Sequence, residues 1–224
     1  MTAREEISID VSPEIGSVSA ILDRPPVARA ILALAHGAGA GMRHRFLEAL
    51  AAALAERRVA TLRYQFPYME AGSRRPDRPE TAHAAVRAAA AEARRRAPDL
   101  PLIAGGKSFG GRMTSQAQAR TPLPGVRAIV FVGFPLHPAG KPGIERAAHL
   151  DGVAIPMLFL QGTRDELAEM TRMRGVAASL GDRATLQVID GADHAFKVPR
   201  STGRSDADVI AELASAIVRY GAPA

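Results

Sequence analysis

A serine framed by glycines, Gly106-Lys107-Ser108-Phe109-Gly110, lies between a short apolar run and a stretch of helical character. That is the setting in which a strained strand-to-helix turn holds a hydroxyl out as a nucleophile. Glycine suits positions 106 and 110 because a side chain at either would collide with the tight turn around the serine. A serine hydroxyl attacks poorly near neutral pH unless a base takes its proton and an acid orients that base. Both types follow later, where an apolar run leads into Gln161-Gly162-Thr163-Arg164-Asp165 and the next into Asp190-Gly191-Ala192-Asp193-His194. Ser108 as nucleophile, Asp165 as orienting acid and His194 as base therefore point to acyl transfer through a covalent serine ester. Glu166, Asp190 and Asp193 are neighbouring carboxylates that compete with Asp165 for the acid's place.

Such chemistry also needs donors for the oxyanion, normally the backbone N–H after the nucleophile and one from a loop after an earlier strand. Phe109 N–H is the first candidate, and Ala38 N–H, within His36-Gly37-Ala38-Gly39, is the second. His36, Phe66, Tyr68 and His137 follow strands on the same side and are expected around an acyl pocket. Lys107 and Arg112 flank the nucleophile, so they would hold a substrate carboxylate or phosphate; alternatively, Lys107 pairs with an acid beneath the turn. His44, His83 and His149 fall in or beside helical stretches, where a solvated face is expected.

Other chemistries fail on spacing or composition. Gly106-Lys107-Ser108 ends like a phosphate-binding loop, but the glycine required five residues earlier is Pro101. Gly37, Gly39 and Gly41 have the wrong interval for a dinucleotide fingerprint. Glu80 and His83 have the spacing of a di-iron helix, yet no second pair exists, so no metal and no cofactor are expected. With no cysteine, disulfides, thiolate metal sites and a cysteine nucleophile are excluded.

The elements that must position these residues alternate in period. Residues 6–11 and 17–22 alternate around Pro13 and Gly16, which predicts an antiparallel hairpin. Residues 30–35 are continuously apolar, as in a strand covered on both faces. Strands are further predicted at 59–66, 102–105, 126–132, 157–160 and 185–189. Helices are predicted at 45–57, 80–96, 110–119, 167–180 and 206–220, the last with Ser205 as its N-cap. Alternation of this kind predicts a mostly parallel sheet covered on both faces, whose ligands lie at the carboxyl ends of the strands. The segments 64–78 and 134–143 are the long loops, so no lid domain is expected and the site should be open.

At 224 residues the chain is expected to form a single domain spanning 1–224. A formal charge of +6 permits nucleic-acid or membrane partners, but the basic residues are scattered at Arg57-Arg58, Arg74-Arg75 and Arg94-Arg95-Arg96. Those positions are helix ends or loop, where positive charge suits the helix dipole and solvent. With seven Phe, three Tyr and no Trp, stacking platforms for nucleic acid are poorly supplied. No signal-peptide pattern and no membrane-length apolar run occur, so the expectation is a cytoplasmic protein with a small-molecule partner and neither nucleic-acid nor membrane binding. Its oligomeric state is left open.

The residues as a set resemble the α/β-hydrolase superfamily, specifically a small lidless branch that is dienelactone-hydrolase-like. The likeness is carried by His36-Gly37-Ala38-Gly39, Arg63-Tyr64-Gln65-Phe66-Pro67-Tyr68, Gly105 to Arg112, Gly133-Phe134-Pro135-Leu136-His137-Pro138, Gly162-Thr163-Arg164-Asp165 and Asp193-His194. This branch is similar to the one containing the hydrolase-like domain of an NSL acetyltransferase complex subunit and a testis-expressed mammalian protein. The resemblance implies an α/β fold with an eight-stranded sheet and a Ser-His-Asp site. True dienelactone hydrolases use a cysteine nucleophile, which is absent here, so the expected activity is that of a serine hydrolase on carboxylic esters or thioesters. The competing readings are an interaction module with a vestigial site and a peptidase or acyltransferase using the same triad.

Overall fold

A six-residue apolar stretch such as Ala30–Ala35 has no polar side chain to turn toward water, so it belongs between two covered faces. In the computed structural model, which describes residues 2–221, it is a strand buried along its whole length. Eight strands form one sheet: β1 (Ala3–Ser12), β2 (Gly16–Arg24), β3 (Ala30–Ala35), β4 (Val59–Tyr64), β5 (Leu102–Lys107), β6 (Val126–Val132), β7 (Met157–Gly162) and β8 (Ala184–Ile189). Their spatial order is β1-β2-β4-β3-β5-β6-β7-β8. The β1–β2 and β2–β4 pairs are antiparallel and the remaining pairs parallel. The register of β3 against β5 sets Ala35 opposite Gly106, which brings the Gly-rich loop after β3 beside the turn that carries Ser108.

The two faces are covered by helices whose apolar stripes match them. Helices α1 (Arg45–Glu56) and α6 (Asp206–Gly221) pack over Leu32, Leu34, Val130 and Leu158. On the other face lie α3 (Pro79–Arg96), α4 (Phe109–Arg120) and α5 (Met170–Ser179), while α2 (Pro67–Glu70) is a single turn after β4. The buried stripe of α3 is Ala82, Ala85, Val86, Ala89, Ala90 and Ala93, and these short side chains let its backbone sit close to the sheet. Each fully buried Leu or Ile of the sheet contributes roughly 1.5–3 kcal/mol relative to exposure. Ser205 does cap α6: Asp208 N–H donates to its Oγ at 3.2 Å and Ser205 N–H to Asp208 Oδ2 at 2.8 Å.

Two structured segments lie outside the predicted strands and helices. Pro67 opens α2, since a proline lacks the N–H that a first helical residue leaves unused. Residues Glu145–Gly152 form consecutive 3-10 turns, which show no 3.6-residue period. Strand β5 runs on through Gly106 and Lys107, past the expected end at 105, because both residues pair with β6. Among the described residues no helix is long and apolar enough to cross a membrane.

Candidate active site

Ser108 joins β5 to α4 with φ 50° and ψ −112°, a left-handed conformation that costs a non-glycine residue about 1–3 kcal/mol. Its N–H donates to Val132 O at 3.1 Å, and its hydroxyl caps no helix N–H. The flanking glycines are required by a neighbour rather than by the turn alone. A Cβ on Gly106 would stand 2.4 Å from Ala35 O, and one on Gly110 would stand 2.6 Å from His36 O. Both distances mean that the turn is pressed against the end of β3.

From the serine a chain of hydrogen bonds runs inward. His194 Nε2 lies 2.9 Å from Ser108 Oγ, and His194 Nδ1 lies 2.8 Å from Asp165 Oδ2. An ionised carboxylate only accepts, so Nδ1 carries the proton and Nε2 faces the hydroxyl as acceptor. Asp165 also accepts Gln161 Nε2–H at 2.6 Å and Leu167 N–H at 2.8 Å, and its side chain is 1% exposed. Gln161 is held in turn, its Oε1 accepting Phe134 N–H at 2.9 Å. The competing acids lie elsewhere: Asp193 accepts Lys197 N–H, Asp190 faces Thr163, and Glu166 is exposed. Sequence reasoning missed Gln161, although a buried amide at the end of an otherwise apolar strand is a signal, because such a group must find partners.

Residues after β3 and β4 are bonded to each other. Phe66 N–H donates to His36 Nε2 at 3.0 Å, which leaves the His36 proton on Nδ1 and directs it to Gly37 O at 2.7 Å. Burial pushes His36 down to about 4, in keeping with a neutral ring. Gly39 N–H donates to Tyr68 Oη at 2.9 Å and Met42 N–H to Gln65 Oε1 at 2.7 Å. Arg63, fully buried, joins Met42 O to Asp23 Oδ2, each at 2.9 Å. The stretch Arg63 to Tyr68 is thus the scaffold of the loop 36–42. His36, Phe66 and Tyr68, expected around an acyl pocket, are buried behind that loop instead. Neither Ala38 N–H nor Phe109 N–H has a protein acceptor among the described residues.

The cavity at Ser108 is about 380 Å³ and is lined by Ala38, Pro76, Asp77, Pro79, Ser108, Phe109, Arg112, Met113, Pro135, Arg146 and Leu167. Ala38, Phe109 and Arg112 therefore share it with the serine. His137 does not line it: the ring is 1% exposed, with Nδ1 on Pro138 O at 2.8 Å. Lys107 is absent from the wall as well. Its Nζ lies over the Phe196 ring, 5.5 Å from the centroid, on the side of Gly133 and Asp165. Burial pushes the Lys107 ammonium down to about 8, against the attraction of Asp165 and Asp193.

A profile of the α/β-hydrolase domain family matches residues 28–222. The chain belongs to the α/β-hydrolase family. Its fold is shared with a dienelactone hydrolase from Anabaena variabilis, at 21% identity and a TM-score of 0.78, covering 99% of each chain. It is shared also with a lidless serine hydrolase from Xanthomonas campestris, at 21% identity and a TM-score of 0.75, covering 100% of this chain and 97% of that one. A serine hydrolase homologue from Coxiella burnetii matches at 22% identity and a TM-score of 0.75, covering 98% and 97%.

The remaining histidines of this α/β-hydrolase correct one expectation. His44 is exposed and its side chain caps α1, but His83 is buried and His149 is half-buried. His149 Nε2 lies 2.7 Å from Ser115 Oγ, a second serine–histidine pair. Ser115 sits inside α4, wholly buried, and its hydroxyl also approaches Arg112 O at 3.0 Å. Burial and the nearby positive Arg112 push His149 down to about 4. The pair ties the Glu145–Gly152 turns to α4. Helix periodicity places His83 on a helical segment without telling which face is covered, and His149 falls in 3-10 turns that have no such period, so the burial of neither shows in the sequence.

Proposed function

We propose that this α/β-hydrolase is a serine hydrolase acting on carboxylic ester or thioester bonds of small substrates, with residues 1–224 as one catalytic domain. The observation that carries the reading is the unbroken series Ser108 Oγ, His194, Asp165, opening into the cavity. His194 Nε2 takes the Ser108 proton as Oγ attacks the substrate carbonyl. The oxyanion that forms is held by the Phe109 and Ala38 amides, which no acceptor among the described residues occupies. Collapse of the adduct expels the alcohol or thiol, which leaves with the proton from His194. Water, deprotonated by His194, then attacks the acyl-serine; Ser108 takes back its proton and the acid is released. Asp165 holds the imidazole in the tautomer that each step needs and stabilises the imidazolium.

Short p-nitrophenyl esters and an acyl thioester test this reading directly. The wild type should turn both classes over, and Ser108→Ala or His194→Ala should lower kcat/KM at least about a thousand-fold. Absence of turnover on every ester and thioester, with the protein folded, contradicts the reading and leaves the interaction-module alternative.

A further inference from the structure

Two arginines share the wall of the Ser108 cavity without an acidic partner among the described residues. Arg112 stands one turn into α4, its guanidinium 5.8 Å from the Phe109 ring centroid, and Arg146 reaches the same cavity from the Glu145–Gly152 turns. Among the described residues Arg112 donates no side-chain hydrogen bond, and its Nε is buried without an acceptor. Arg146 donates from Nη1 to His137 O at 3.0 Å and forms no ion pair among those residues. Asp77, the one carboxylate in the wall, accepts Tyr68 N–H at 3.1 Å and pairs with neither arginine. The contrast within the same chain is Arg63, fully buried and tied to Asp23 at 2.9 Å.

The two arginines are brought to one cavity by built contacts. The Ser115–His149 hydrogen bond at 2.7 Å fixes the segment of Arg146 against the helix of Arg112, each arginine being three residues from one end of that bond. Burial first, and then the positive charge of Arg146, disfavour the charged form of Arg112. An arginine is not relieved by losing its proton, so the charge pair is relieved by an anion between them. A planar carboxylate matches the guanidinium fork bidentately.

Resting on the serine-hydrolase reading above, we propose that the substrates of this site are esters or thioesters carrying a free carboxylate a few bonds from the scissile carbonyl, held by Arg112 and Arg146. The small cavity favours short chains, as in monoesters of C4 to C6 dicarboxylic acids. Arg146 thus takes the place beside Arg112 that the sequence assigns to Lys107, whose ammonium lies over the Phe196 ring on the side of Asp165.

The test compares p-nitrophenyl hemiglutarate with its methyl-capped diester, which has the same chain and no charge. The wild type should show kcat/KM at least about ten-fold higher for the free acid, and the preference should shrink as salt is added. Arg112→Gln and Arg146→Gln should each lower the acid-to-capped ratio at least about five-fold, with Arg112→Lys intermediate because it keeps charge and loses the fork. Binding is read separately from turnover by titrating monomethyl glutarate into Ser108→Ala in a calorimeter, with dimethyl glutarate as the neutral control. Saturable binding of the monoester, abolished by adding Arg146→Gln, supports the anion site even where no ester is cleaved. A wild-type ratio near one, or a ratio that neither arginine substitution moves, overturns the proposal while leaving the hydrolase reading intact; equal or absent binding of the two glutarates overturns it as well.

Discussion

Asp165 is surrounded by donors: the His194 ring, the Gln161 amide and the Leu167 N–H all point at its two oxygens. Replacing it with asparagine sets an NH2 group against at least one of them and favours the His194 tautomer with its proton on Nε2, facing Ser108. Asp165→Asn should therefore keep the fold while kcat on an ester falls about ten-thousand-fold, the loss expected when the base presents the wrong tautomer. Unchanged kcat in that variant would show that Asp165 does not orient the base. At this scale the sequence points to Ser108, Asp165 and His194 by type and order, and in the structure the three side chains lie in one hydrogen-bonded series. What the sequence did not reveal were groups acting through others. Gln161 holds the acid, and His36 and Tyr68 hold a loop, because hydrogen-bond partners distant along the chain leave no local pattern. Lys107 shows the limit plainly, since adjacency to Ser108 says nothing about which side of the sheet end its ammonium reaches.

The Ser108 turn depends on two elements touching. Strand β3 ends where β5 turns into α4, and the contact is so close that the Gly110 Cβ position lies 2.6 Å from His36 O and 2.7 Å from Ala35 Cβ. Gly110→Ala should destabilise the fold by about 2–4 kcal/mol, because backbone rather than a flexible side chain must move; urea unfolding measures it. A loss under about 0.5 kcal/mol would mean that β3 and α4 are not held this tightly. The elements themselves were largely readable, since two-sided burial of β3 and the period changes at β4, α3 and α4 are direct consequences of covering a parallel sheet. Single-turn α2 and the 3-10 turns at Glu145–Gly152 were not, being too short to establish a period. The second of these carries Arg146, so the residue that completes the cationic wall was hidden in an element the sequence does not announce.

The whole molecule inherits a pH dependence from its buried neutral histidines. His36 accepts Phe66 N–H through Nε2, so a proton there would set two donors face to face, and its folded value is about 4 against an ordinary 6.5. Between those values the unfolded chain takes up a proton that the folded chain refuses. Stability is fully present above pH 6.5 and falls as the pH drops toward 4, by up to about 3 kcal/mol for this one group. Urea unfolding at pH 7 and pH 4 should show that fall, and His36→Gln, which still offers Phe66 an acceptor, should show less of it. Equal pH dependence in the two proteins would remove His36 from the account. The central claim, an activated Ser108, is tested most directly by intact mass after reaction with a fluorophosphonate, which needs no knowledge of the substrate. One adduct on the wild type, absent from Ser108→Ala and His194→Ala, is the predicted result; a folded wild type that takes no adduct, or an adduct that persists in Ser108→Ala, would contradict it.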